Sequence, residues 1–247
     1  MAHNSLGNAL LGKGQPDQAI AEFCKVIELK PDDADAHYNL GVALRHKGDN
    51  DAGIAEYRKA IDGYLKILAA KPDDAEARTD LARAHNNLGV ALLDKGQTDE
   101  AIAEYRMAIL LSPGYADAHV ALGSVLDDKG RYDEAIAEYR KAIELAPENP
   151  DTHNNLGVSL ENKGQIDKAI AEYHQAIDGY LKIRAEKPDD AEARTGLAYA
   201  HNNLGNVFQS KGQTDAAIAE YRKALELKPD NQKARDNLAG ALARKAH

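Results

Sequence analysis

Apolar and small residues recur along this chain at helical spacing. Leu40, Gly41 and Leu44 stand at i, i+1 and i+4, and Ile102, Tyr105 and Ala108, with Ala101 beside them, follow the 3.6-residue period of an amphipathic helix. Polar punctuation separates such stretches. A Lys-Gly pair recurs at Lys13-Gly14, Lys47-Gly48, Lys95-Gly96, Lys129-Gly130, Lys163-Gly164 and Lys211-Gly212. The lysine opposes the helix dipole in a last turn, and the glycine supplies a left-handed stop. An aspartate follows three residues later each time, at Asp17, Asp51, Asp99, Asp133, Asp167 and Asp215, where it suits the start of a second helix. Pro31, Pro113, Pro147 and Pro229 close these units. The pattern predicts an all-α chain of helix–turn–helix units.

The units keep a strict beat. Leu-Gly stands at 6–7, 40–41, 88–89, 122–123, 156–157 and 204–205, and Leu238-Ala239 takes the seventh place. Steps between the small residues are 34, 48, 34, 34, 48 and 34. The boundaries expected are 1–33, 34–74, 75–115, 116–149, 150–190 and 191–230, followed by a capping helix over 231–245. Together they form a single solenoid domain over 1–247, built as two homologous three-repeat blocks of about 1–116 and 117–232. The final helix hides the last apolar face.

Each 48-residue step carries one long phrase: DGYLKILAAKPDDAEARTDLARAHNNLG at 62–89 and DGYLKIRAEKPDDAEARTGLAYAHNNLG at 178–205. The proline comes seven residues late, and the next Leu-Gly seven later again. Seven residues make about two helical turns, roughly 10 Å. The second helix of one repeat and the first helix of the next are therefore expected to lengthen together, with the KPDD turn at the tip. Ile61, Tyr64, Leu65 and Leu68 would meet Ala77, Leu81 and Ala84; the second copy would use Ile177, Tyr180, Leu181, Ala193 and Leu197. Gly63 and Gly179 fall mid-helix, which marks a bend or a close helix approach.

Composition narrows the function classes. The chain has 247 residues, a net charge of −9 and no basic stripe, which argues against nucleic acid as partner. One cysteine, Cys24, excludes an internal disulfide and a cysteine-based zinc cluster. No apolar run is long enough to span a membrane, and the first residues lack the pattern of a signal peptide, so a cytoplasmic location is expected. The start inside a helical pattern suggests a piece of a longer protein.

The L-G…L…G…A…Y…A…P register on a 34-residue beat resembles the tetratricopeptide repeat. The aromatic of the second helix is Phe23, Tyr57, Tyr105, Tyr139, Tyr173 and Tyr221. The resemblance implies a right-handed superhelix of six repeats plus the capping helix, and a function in protein–protein recognition. A partner peptide or helix would lie in the concave groove lined by the first helices. By that register the groove carries Asn8, Tyr38, Arg45, Arg83, Asn86, Asp127, Asn154, Glu161, Tyr199, Asn202 and Asn206. A second resemblance is to the repeat region of O-linked N-acetylglucosamine transferases, whose asparagine ladder holds substrate backbone. The matching positions here are Asn39, Asn87, Asn155, Asn203 and Asn237, interrupted by Ser5 and Ala121. Ordinary helix-packing asparagine is the competing reading of the same residues. Alternatives to the groove are a self-associating assembly module, using the array ends or the long hairpins, and the non-catalytic repeat region of a larger enzyme.

Catalytic chemistry is not indicated. Asp32-Asp33, Asp73-Asp74 and Asp189-Asp190 sit at turns and read as helix caps. There is no phosphate loop and no Ser-His-Asp motif, so neither enzyme activity nor a cofactor is expected. A histidine stands three residues before each Leu of the repeats, at His3, His37, His85, His119, His153 and His201. Successive repeats hold these rings too far apart to share a metal ion. Buried packing histidines would make the fold less stable as pH falls.

Overall fold

A computed structural model describes residues 2–245, Ala2 by its backbone alone. The described residues form thirteen helices: α1 (Ala2–Gly12), α2 (Pro16–Leu29), α3 (Ala34–Lys47), α4 (Asn50–Ala70), α5 (Ala75–Asp94), α6 (Thr98–Leu111), α7 (Ala116–Asp128), α8 (Tyr132–Leu145), α9 (Pro150–Asn162), α10 (Ile166–Glu186), α11 (Ala191–Ser210), α12 (Thr214–Leu227) and α13 (Gln232–Lys245). Helices 1, 3, 5, 7, 9 and 11 are first helices of a pair; their even-numbered successors are second helices, and α13 stands in a first-helix place. The all-α repeat architecture is as the pattern predicts.

The chain forms two compact units, Met1–Leu122 and Gly123–His247, with the boundary inside α7. In the first unit each of α1 to α5 packs on the next helix, and α3 also touches α1 and α5. In the second unit the order α8 to α13 is repeated, and α11 touches both α9 and α13. First helices therefore stand side by side in each unit. Six glycines, from Gly14 to Gly212, end the first helices with φ between 69° and 89°, conformations costly for any residue with a Cβ.

The core is built from small residues on one helix and a ring on the other. Phe23, Tyr57, Tyr105, Tyr139, Tyr173 and Tyr221 are each at most 2 % exposed. Every ring lies against the glycine of its repeat's Leu-Gly pair. A Cβ on Gly89 would stand 2.7 Å from the Tyr105 ring, and one on Gly157 2.6 Å from Tyr173. Overpacking of this kind costs about 1–3 kcal/mol, so the Leu-Gly beat is a packing requirement set by the aromatic.

The long phrase forms long helices. α4 and α10 have 21 residues against 14 in the other second helices, and α5 and α11 have 20 against 11 to 14 in the other first helices. Tyr64 packs with Ala60, Leu81 and Ala84, with Ile61 and Leu68 at the margin. Leu65 and Leu181 do not join this contact: they are 50 % and 47 % exposed, because one residue past a buried tyrosine the helix has turned about 100° toward solvent. Close approach accounts for the mid-helix glycines. A Cβ on Gly63 would stand 2.8 Å from Ala34 Cβ, and one on Gly179 2.9 Å from Pro150 Cβ.

Candidate functional site

Helix starts are fixed by side-chain caps, and these set which residues each first helix presents. Asp33, Asp74 and Asp190 accept from the N–H of Ala36, Ala77 and Ala193 at 2.9–3.0 Å. Asn149 and Asn231 do the same for Thr152 and Ala234 at 3.3 and 3.1 Å. All three Asp-Asp pairs (Asp32-Asp33, Asp73-Asp74 and Asp189-Asp190) thus act as turn and cap.

On the first-helix face of the first unit, Asn8 and Arg83 are exposed, Tyr38, Asn39, Arg45 and Asn87 are half-buried, and Asn86 is buried. Three of these residues meet. The Arg83 guanidinium lies over the Tyr38 ring, 5.5 Å from its centroid, and its Nη1 donates to Asp80 Oδ1 at 3.2 Å. Asn87 Nδ2 donates to the Tyr38 hydroxyl at 2.7 Å. Burial pushes the Tyr38 hydroxyl up, against the pull of Arg83, and pushes the Asp80 carboxyl up as well. Arg45 reaches Asp94 at 3.7 Å.

In the second unit Tyr199 is exposed, Asp127, Asn154, Asn155, Glu161, Asn203 and Asn206 are half-buried, and Asn202 is buried. Amides here are wired to one another. Asn203 donates to Asn154 Oδ1 at 3.2 Å, and Asn237 donates to Asn202 and Asn206 at 3.0 and 2.9 Å. Asp127 accepts from the Ser159 hydroxyl at 2.5 Å, and Glu161 from Tyr173 at 2.8 Å. Burial is the main reason both carboxyls lie above the usual range. Lys228 Nζ lies 5.8 Å from the centre of the Tyr199 ring.

The histidines have partners that periodicity alone did not reveal. His3, His37, His85, His153 and His201 each place Nδ1 at 2.5–2.7 Å from a glutamate nineteen residues later: Glu22, Glu56, Glu104, Glu172 and Glu220. The signal was present in AIAEY, whose glutamate precedes the core aromatic. Nε2 of His37 and His153 faces the carbonyls of Pro31 and Pro147 at 2.9 and 3.4 Å. Both ring nitrogens then face acceptors, and only the imidazolium can donate to both. At His153 the Glu172 hydrogen bond outweighs burial and raises the ring's pKa above 6.5. That reverses the expectation that lower pH weakens this position: burial was the smaller effect.

Cys24 packs at the edge of the Phe23–Leu40 core, and burial, with Glu28 and Glu56 adding, raises its thiol. Among the described residues no group of three or more His, Cys, Asp or Glu is placed to hold a metal ion. No described helix is long and apolar enough to cross a membrane.

The crystal structure of MamA is 27 % identical with a TM-score of 0.59, covering 72 % of this chain and 96 % of that one. PilF of Pseudomonas aeruginosa is 21 % identical with a TM-score of 0.70, covering 97 % and 96 %. YrrB, described as a TPR protein with an unusual peptide-binding site, is 22 % identical with a TM-score of 0.61, covering 87 % and 96 %. No curated protein matches by sequence. Family profiles described as TPR repeat match residues 89–127 and 128–164. Profiles described as tetratricopeptide repeat match 4–64, 154–208 and 198–231. With most of its length matched and its rings seated on the Leu-Gly glycines, the chain belongs to the tetratricopeptide repeat family.

Proposed function

We propose that the protein is a non-catalytic interaction scaffold that binds a peptide or helical segment of a protein partner along its first-helix faces. One observation carries this reading. The duplicated phrases at 62–89 and 178–205 differ at only four of 28 positions, and two of those, Asp80/Gly196 and Arg83/Tyr199, fall on the first helices α5 and α11. Arg83 and Tyr199 are both exposed, so packing does not dictate either choice. The other two, Leu68/Arg184 and Ala70/Glu186, lie at the hairpin tips on α4 and α10; second helices spend their core-facing rings on packing, which leaves the exposed first-helix side chains for a partner. YrrB, of the same fold, has a peptide-binding site by its own description, and another similar structure is the Cut9–Hcn1 hetero-tetramer. Asn8, Tyr38, Arg83, Glu161 and Tyr199 are the contacts that this reading needs.

Selection from a displayed library of random peptides about 12 residues long, followed by titration of the synthesised winners, tests the proposal. The triple variant Arg83→Ala, Glu161→Gln, Tyr199→Ala is expected to weaken the winners at least tenfold with its melting temperature unchanged within a few degrees. Winners that bind the triple variant as tightly as the parent would place the interaction elsewhere.

A further inference from the structure

We infer that the first unit holds a subsite for an aromatic side chain of the partner, between Tyr115 and the Arg83–Tyr38 stack; it rests on the peptide-binding reading above. Position 115 is where α3, α5, α9, α11 and α13 have Asp33, Asp74, Asn149, Asp190 and Asn231, each capping its own helix. A tyrosine hydroxyl stands too far from its own backbone to cap. The Tyr115 carbonyl serves α7 instead, accepting from the N–H of Ala118 at 3.1 Å and of His119 at 3.4 Å. A favourable cap has been given up for a ring, and a broken local rule points to function. That ring is half-buried and lines a recess of about 410 Å³ with Thr79, Arg83, Ser112, Gly114 and Asp117. The volume is within the range of pockets that hold small ligands.

The recess presents planar faces. Arg83 already stacks on Tyr38, and guanidinium and phenol faces both take a further ring in offset or edge contact. A carboxylate is the poorer occupant, because Asp80 already pairs with Arg83 and Asp117 lines the same recess. The second unit does not repeat this arrangement: Tyr199, the counterpart of Arg83, meets Lys228, the counterpart of Ser112, and Asn154 and Asn231 stand where Tyr38 and Tyr115 do. The subsite therefore belongs to the first unit alone.

Amide NMR shifts of the full chain, titrated with Ac-Gly-Gly-Trp-Gly-Gly-NH2 and its Leu and Glu counterparts, test the subsite. Saturable shifts at Thr79, Arg83 and the 112–117 turn are expected with the Trp peptide, at least fivefold tighter than with the other two. Tyr115→Asp restores a cap, so this variant should melt higher and bind the Trp peptide at least fivefold more weakly. Tighter binding of the Glu peptide, no saturable shift at this turn, or undiminished binding by Tyr115→Asp would each overturn the subsite. If library winners still bind the parent while the Trp peptide does not, only the aromatic subsite fails; the scaffold reading survives.

Discussion

His153 shows how one residue carries both packing and charge. Its ring is nearly covered, yet Nδ1 meets Glu172 at 2.7 Å and Nε2 meets the Pro147 carbonyl. A histidine whose folded pKa is raised adds stability that is fully present below its unfolded value of 6.5 and is lost as pH rises through the folded value. Glutamates set the other limit. Burial would raise the Glu220 carboxyl, but hydrogen bonds from His201 and Lys223 bring it below its ordinary 4.5. Its contribution is present above 4.5 and is lost as pH falls through the lower folded value. His153 and Glu220 therefore both contribute in full between about pH 4.5 and 6.5. His153→Gln is expected to cost about 1 kcal/mol at pH 5.5, the worth of one such hydrogen bond, and clearly less at pH 8.5. Urea melts at the two pH values measure this; an equal cost at both would mean that the ring acts by shape alone.

At the scale of the element, the long hairpin is an ordinary junction with whole turns added. Seven residues change helical phase by only about 20°, so the apolar stripe of α4 still meets that of α5. Removing 64–70 and 75–81 leaves Asp62-Gly63 running into KPDD and then Ala82, which restores a 34-residue step between Gly41 and Gly89. The shortened chain is expected to stay helical and to melt cooperatively at a lower temperature, having lost the buried Leu81 and the Tyr64 hydroxyl bond to Asp35. Removing five residues from each helix instead turns the stripes by about 140° and should unfold the first unit. Circular dichroism melts distinguish the two outcomes. The hairpin's lengths were legible in sequence because proline and Leu-Gly mark both ends of each helix. Leu65 and Leu181 were misplaced because composition shows that a residue is apolar, while exposure depends on where the stripe ends. The first-helix face was legible as a register but not as a set of contacts: Asn86 and Asn202 lie below it, at 8 % and 3 % exposure, since the packing of neighbouring helices decides depth. The glutamate partners were missed because a nineteen-residue separation matches no helical period; it appears only once two helices lie antiparallel.

Across the molecule, the same polar contact ties each repeat to its neighbour within a unit. Lysines of the Lys-Gly turns, and Lys245 at the end of α13, reach back to the aspartate at the start of the preceding second helix. Lys47 meets Asp17 at 2.7 Å, Lys211 meets Asp167 at 2.8 Å, and Lys245 meets Asp215 at 2.5 Å; Lys95 with Asp51 and Lys163 with Asp133 complete the series. All are exposed, so each is worth about 0.2–1 kcal/mol. Their value lies in repetition, since a solenoid's stability is close to a sum of repeat and nearest-neighbour terms. Single substitutions would confuse the pair with the chain's overall charge of −9. Lys163→Asp makes the molecule more acidic and Asp133→Lys less so, whereas the exchange of both leaves the net charge as it was. A double-mutant cycle on this pair is therefore expected to give a coupling of a few tenths of a kcal/mol in about 0.1 M salt and none near 1 M, where screening shortens to about 3 Å. Zero coupling at low salt would reduce the series to a by-product of helix capping, and the repeats would be joined by apolar packing and by the hydrogen bonds between their first helices.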